Sequence, residues 1–211
     1  MRQTYAKRFH AGTSASPLLC GVNMLRDKTV LITGGTRGIG FETAKLLLES
    51  GCRVILNFSH DSAAARNSLN LLKRQSPDVE LYRTDAADEE EVCAMFANLS
   101  ESYGNVDVLI HCAGFGNAEL PEGCTEDERM RHLFNVYVCG ARLCSRMFVR
   151  YFHAAERGLV YFLHPPLPES CSESAAAALL AGKCAGELAL LCRDLYKQYN
   201  IDFFSGSALC R

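Results

Sequence analysis

The amino-acid sequence predicts an α/β fold: a doubly wound parallel sheet of six strands, covered by helices on both faces. Three observations carry the prediction. From Lys28 onward, short apolar runs alternate with stretches of helical period. The runs are continuously apolar, which marks strands buried on both faces. The first run feeds a glycine-rich turn that opens directly into a helix, the junction at which such sheets bind nucleotides.

The elements follow in order. KTVLIT (28–33) reads as a strand and FETAKLLLES (41–50) as a helix. RVILNF (53–58) is a strand, and Asp61 to Arg74 a helix with Asp61 as its N-cap. VELYRT (79–84) is a strand, and 88–103 a helix whose apolar positions are Val92, Met95, Phe96 and Leu99. DVLIHC (107–112) is a strand, followed by one long helix from Glu126 to Glu156. LVYFLH (159–164), a helix from Ser174 to Tyr199, and IDFFSG (201–206) complete six strands. With right-handed crossovers, this alternation makes a doubly wound sheet. No internal repeat or linker interrupts it, so residues 27–211 are expected to form one domain behind an N-terminal extension, 1–26.

Composition narrows the function classes. At 211 residues and 48% hydrophobic, the chain can bury a sizeable core. A net charge of −2 gives no sign of nucleic-acid binding, and no apolar run is long enough to span a bilayer. The 11 cysteines include no C-x-x-C pair, so they read as buried thiols of a reducing compartment rather than a metal site. Residues 1–26 hold Arg2, Lys7, Arg8 and Arg26 and no acid; with −2 overall and +4 here, the remainder carries −6. Met1, Tyr5 and Phe9 share a helical face. This profile suggests a mitochondrial transit segment, with a matrix location. The alternative is a disordered or partner-binding arm on a cytoplasmic protein.

The glycine turn is TGGTRGIG (33–40), with Gly34, Gly38 and Gly40 between the first strand and its helix. Backbone without side chains lets a diphosphate reach the free N–H groups of the helix N-terminus. At the end of the second strand, an acid would bind the ribose 2′-hydroxyl of NAD and repel a 2′-phosphate. The chain has Phe58, then Ser59 and His60. Arg37 within the turn can bind a phosphate, or stand as a solvated loop charge. Together these favour NADP(H).

The T-G-x-x-x-G-x-G spacing resembles that of the short-chain dehydrogenase/reductase family, and further residues match in order. Asp85 stands where the family has an aspartate near the adenine; HCAG (111–114) where it has N-N-A-G; Asn135 at its active-site asparagine; and GKCAGEL (182–188) around its active-site lysine, Lys183. The resemblance covers about 28–206 and looks closest to the 3-oxoacyl-acyl-carrier-protein reductases. It implies a Rossmann fold and an NADP(H) site. Thr33, Gly34, Thr36, Arg37, Gly38, Ile39 and Gly40 would form its first wall. Ser59, Asp85, Ala86, Ala113, Gly114 and Lys183 would complete it.

The same resemblance exposes departures. The family's proton-donating tyrosine lies four residues before the lysine, and that position is Leu179. No tyrosine occurs between Tyr161 and Tyr196, so no shift of register supplies one. Where a carbonyl-polarising serine is expected after the fifth strand, the chain has His164 and Pro165, with Ser170, Ser172 and Ser174 later. A positioned acid contributes about 10²–10⁴-fold in rate, roughly 3–5 kcal/mol of barrier. Past the sixth strand the sequence is SALCR, with no Pro-Gly turn. The expectation is a fold without the family's lid, last helix and last strand, leaving 201–206 as an exposed edge. Two readings follow. One is a non-catalytic NADP(H)-binding subunit that meets a partner or a second copy through helices 126–156 and 174–199 and that edge. The other is an NADPH-dependent reductase that uses a displaced acid, with His164 as the candidate.

Overall fold

A computed structural model describes residues 25–60, 62–114, 123, 125–151, 157–164 and 173–207, with backbone alone at 126, 129, 173–182 and 207. The elements are β1 (Thr29–Thr33), α1 (Gly38–Glu49), β2 (Arg53–Phe58), α2 (Ser62–Lys73), β3 (Val79–Arg83), α3 (Glu89–Tyr103) and β4 (Val108–His111). Then come α4 (Glu126–Phe134), a π-turn (Asn135–Cys139), α5 (Gly140–Tyr151), β5 (Gly158–His164), α6 (Glu173–Leu195) and β6 (Ile201–Ser207). All six strands are parallel, in the order β3-β2-β1-β4-β5-β6. The strand order reverses between β1 and β4, which opens a crevice above their carboxyl ends.

Alternate residues of each strand serve opposite faces. Leu31, Ile55, Leu109, Val160 and Phe203 pack with α3, α5 and α6 through Phe96, Phe148 and Leu188. Val30, Ile32, Val54, Leu56 and Val108 pack with α1 and α2 through Ala44, Leu48 and Leu72. Continuous apolar runs therefore arise because both faces are covered. Truncating any of these leucines to alanine costs about 2–5 kcal/mol.

The helix ends show how local sequence sets the elements. Asp88 caps α3, its carboxylate accepting from the Glu91 N–H at 2.9 Å. Thr125 and Glu128 form a capping box on α4. The first helix starts at Gly38, three residues before the expected Phe41, because the glycine turn itself supplies its first turn.

The long helix is not one helix. At Asn135–Cys139 the backbone widens into a π-turn, and the Gly140 N–H donates to the Asn135 carbonyl. The expected extension to Glu156 passes beyond the described residues after Tyr151, as do the Asp61 cap, Pro165, Ser170, Ser172 and residues 1–24. Of the described thiols, Cys52, Cys144 and Cys192 are buried as expected, whereas Cys139 is exposed; all seven are free. Among the described residues β6 is the edge of the sheet.

Two residues assigned to the extension touch the core. Leu25, assigned to the extension, packs on the α1 side of the core. Its carbonyl accepts from the Lys28 N–H at 3.1 Å and from the Cys52 thiol at 3.1 Å, and the Arg26 stem covers Gly51. Deleting 1–24 is expected to leave the urea midpoint unchanged. Deleting 1–26 should cost about 1–3 kcal/mol through lost burial and unmade hydrogen bonds. Equal midpoints for the two truncations would restore the boundary at 27.

Candidate nucleotide site

A cavity of 320 Å³ opens at the reversal between β1 and β4. One wall is the glycine turn: Gly34, Thr36, Arg37, Gly38, Ile39 and Gly40. The opposite walls carry Ser59, Asp85, Ala86, Ala113 and Gly114. Eleven positions expected for the cofactor thus come together.

The turn is held from behind. The Gly35 N–H donates to the Asn57 carbonyl at 3.0 Å, and Ser68 Oγ donates to the Thr36 carbonyl at 2.6 Å. At Gly40 an added Cβ would stand 2.6 Å from the Gly34 carbonyl oxygen, so only glycine lets the turn close on its own helix. At Gly38, φ is +53° and a Cβ would meet nothing within 4 Å; the backbone there faces open space.

The start of α1 differs from the other capped helices. Its N-cap, Arg37, makes no side-chain cap bond, and no acid lies in the first turn. The first N–H groups and the positive end of the helix dipole therefore have no side-chain acceptor of their own. An open glycine cradle, an uncapped helix start and Arg37 at the rim fit the diphosphate of a dinucleotide.

Toward β2, Phe58, Ser59 and His60 line the cavity, and no acid among the described residues lines it on that side. His60 Nδ1 lies 2.9 Å from Ser59 Oγ, and Arg83 Nε donates to the Ser59 carbonyl at 3.3 Å. Asp85 is the one acid among the described lining residues; its Oδ1 accepts from the Ala87 N–H at 2.9 Å.

Other expected residues lie elsewhere. Thr33 is fully buried beneath the cavity and does not line it. Its Oγ1 stands 2.8 Å from His111 Nδ1 and accepts from the Cys112 and Ala113 N–H groups at 3.2 and 3.4 Å. Its hydroxyl shapes the wall from beneath. Asn135 opens the π-turn and is exposed, and Lys183 is exposed on α6; neither belongs to the cavity lining. His164 ends β5, half-buried and opposite Ser207. Leu179 and Lys183 fall in the same unbroken helix, α6, so one turn separates them, the spacing of an i, i+4 pair.

Sequence reading missed Asn57, Cys112, His132 and Val136 in the lining and His111 beneath it. Asn57 and His111 did leave a signal, being polar residues inside apolar strands. Asn57 is 2% exposed, and its amide donates to the Thr84 carbonyl at 2.9 Å, tying β2 to β3 on the β2 side of the cavity. Burial pushes the Cys112 thiol up to about 12 and the His111 imidazole down to about 4. Both are therefore neutral near pH 7.

Sheet order, crevice and glycine cradle define a doubly wound α/β protein of the Rossmann type. The chain belongs to the short chain dehydrogenase family, whose model matches residues 28–164. It is 28% identical over 129 residues to a short-chain type dehydrogenase/reductase of Picea abies, covering 58% of this chain and 48% of the relative. A short-chain type dehydrogenase/reductase structure from Mycobacterium ulcerans superposes with a TM-score of 0.72 at 19% identity, over 86% of this chain and 66% of the other. A short chain dehydrogenase from Burkholderia cenocepacia, solved in complex with NADP, gives 0.67 at 26% identity, over 86% and 73%. The chain spans about half the length of the curated relatives it matches.

Proposed function

We propose that the chain binds NADP(H) and does not itself carry out the family's usual carbonyl reduction. The observation that carries the first part is the cavity at the uncapped start of α1, rimmed by Arg37 and with no acid on the β2 side among the described residues. The NADP complex of the Burkholderia cenocepacia relative supports the same choice. A bound nicotinamide would supply or accept a hydride. The protein's own contribution would be to hold the diphosphate at Gly38, Ile39 and Gly40 and the 2′-phosphate near Arg37, Ser59 and His60.

Leu179 supports the second part. One turn from Lys183, it occupies the family's tyrosine position and has no proton to give. A non-catalytic subunit needs a partner. Leu190, Leu191 and Leu195 on α6 are 52%, 50% and 56% exposed, and Phe204 on the β6 edge 45%. We assign the partner contact, with another protein or a second copy, to α6, the α4–α5 segment and this edge. The basic, acid-free composition of residues 1–26 supports a mitochondrial matrix location for the assembly. No helix among the described residues is long and apolar enough to cross a membrane.

Titration by nucleotide fluorescence or calorimetry is expected to give tighter binding for NADPH than for NADH, by on the order of tenfold or more, the value of one charge-assisted contact. Equal or tighter NADH binding refutes the cofactor choice. A second reading rests on Asn135 at the π-turn and on His164 at the tip of β5. It makes the chain an NADPH-dependent reductase of the 3-oxoacyl-acyl-carrier-protein type, with His164 as the displaced acid.

A further inference from the structure

We propose that His111 is a positioning residue. Its buried imidazole joins Thr33, at the end of β1, to Tyr137 in the π-turn, and so fixes the cavity wall and Asn135 relative to each other. The inference deepens the nucleotide-site reading and rests on it.

The hydrogen bonds fix the tautomer. Thr33 Oγ1 already accepts from two backbone N–H groups, those of Cys112 and Ala113. Its own proton is left to donate to His111 Nδ1 at 2.8 Å. A neutral ring that accepts at Nδ1 carries its proton on Nε2. That N–H is fully buried and has no partner by strict geometry.

The π-turn lies against the ring. In an α-helix the Gly140 N–H would bond the Val136 carbonyl four residues back. Here it bonds Asn135 instead, so Val136 loses that donor. The Val136 backbone interacts with the His111 ring in the sense that favours its protonated form, as a carbonyl facing an N–H does. Nε2 makes no full hydrogen bond, so the Thr33 bond and the packing of Tyr137 hold the ring in place.

The surroundings hold the ring. Tyr137, in the π-turn, lies 5.9 Å from it between centroids, and its hydroxyl donates to the Leu163 carbonyl at 3.3 Å. A Cβ on Gly114 would stand 2.9 Å from Tyr137 Cβ, so the loop after β4 lies flat on the π-turn. The titratable neighbours Cys112 and Tyr137 are kept protonated by burial, and His132 faces the cavity from α4. His111 thus touches each piece whose spacing sets the cavity: β1, the loop after β4 and the π-turn.

The test uses the full chain, 15N-labelled. Long-range proton–nitrogen spectra, with His111 assigned through His111→Asn, should show a neutral ring protonated on Nε2 at neutral pH. A charged ring, or one protonated on Nδ1, overturns the proposal. His111→Leu removes both contacts. It should shift the amide resonances of Asn135–Cys139 and weaken NADPH binding by on the order of tenfold, the worth of about one hydrogen bond. His111→Asn keeps a donor and an acceptor and should recover affinity to within about threefold. A folded leucine variant with unshifted π-turn resonances and wild-type affinity overturns the role. If the leucine variant does not fold, the tautomer and the asparagine variant decide it. If the natural protein binds no NADPH, the nucleotide reading fails alone, and the tautomer and π-turn shifts still decide His111.

Discussion

Purified protein is expected to oxidise NADPH with an acetoacetyl thioester no faster than the background, and Leu179→Tyr alone is not expected to change that. Leu179 cannot protonate a carbonyl oxygen, and the missing acid is worth about 10²–10⁴-fold in rate. Restoring a tyrosine one turn from Lys183 returns the acid but not the group that polarises the carbonyl, since β5 ends in His164 where a serine is expected. Placement matters as much as identity: errors of about 1 Å can cost on the order of a hundredfold. Lys183 is exposed and stands outside the cavity lining formed by the described residues. Steady-state assays of the natural protein, Leu179→Tyr and His164→Ala separate the readings. Turnover by the natural protein that disappears in His164→Ala makes His164 the acid and removes the non-catalytic reading. Turnover that appears in Leu179→Tyr alone shows that the polarising group matters less than argued.

Gly40→Ala is expected to abolish measurable nucleotide binding. The added methyl would meet the Gly34 carbonyl oxygen at 2.6 Å and Gly35 Cα at 3.0 Å. Both are backbone atoms, so the turn must open rather than a side chain swing aside. Opening it moves the first N–H groups of α1 off the diphosphate. Losing two charge-assisted bonds at about 1.5–3 kcal/mol each weakens binding by on the order of a hundredfold or more. The clash itself should lower stability by about 1–3 kcal/mol. Gly38→Ala is the contrast, because its Cβ has open space and only the left-handed backbone, φ +53°, resists it. That strain is about 1–2 kcal/mol. Denaturation midpoints and NADPH titration of both variants provide the check. A Gly40→Ala protein that binds like the natural one shows that the turn does not hold the nucleotide.

How far each feature could be read from sequence follows from the range of the interaction behind it. The strands and their parallel order were legible because burial on both faces leaves no room for polar alternation, and a run such as TVLIT records that directly. Gly38 and Gly40 were legible because a tight strand-to-helix turn is a local event. Leu179 was legible as a departure because one helical turn to Lys183 fixes its place without any tertiary knowledge. Other features depended on what packs against them from far along the chain. Leu25 reads as the tail of a basic extension, yet a thiol 27 residues away donates to its carbonyl. Helix 126–156 reads as continuous because its sequence has neither proline nor a capping signal near Asn135. The residue that faces the π-turn's released carbonyl, His111, belongs to another element. Thr33 reads as a cofactor contact, but its hydroxyl is spent on a histidine 78 residues away and on the two amides that follow it. Sequence alone thus determined the sheet and the glycine turn, both set by local geometry or by the solvent-hidden faces of a strand. Only the tertiary structure decided which buried polar groups meet, because a hydrogen bond between distant residues leaves no periodicity in the chain.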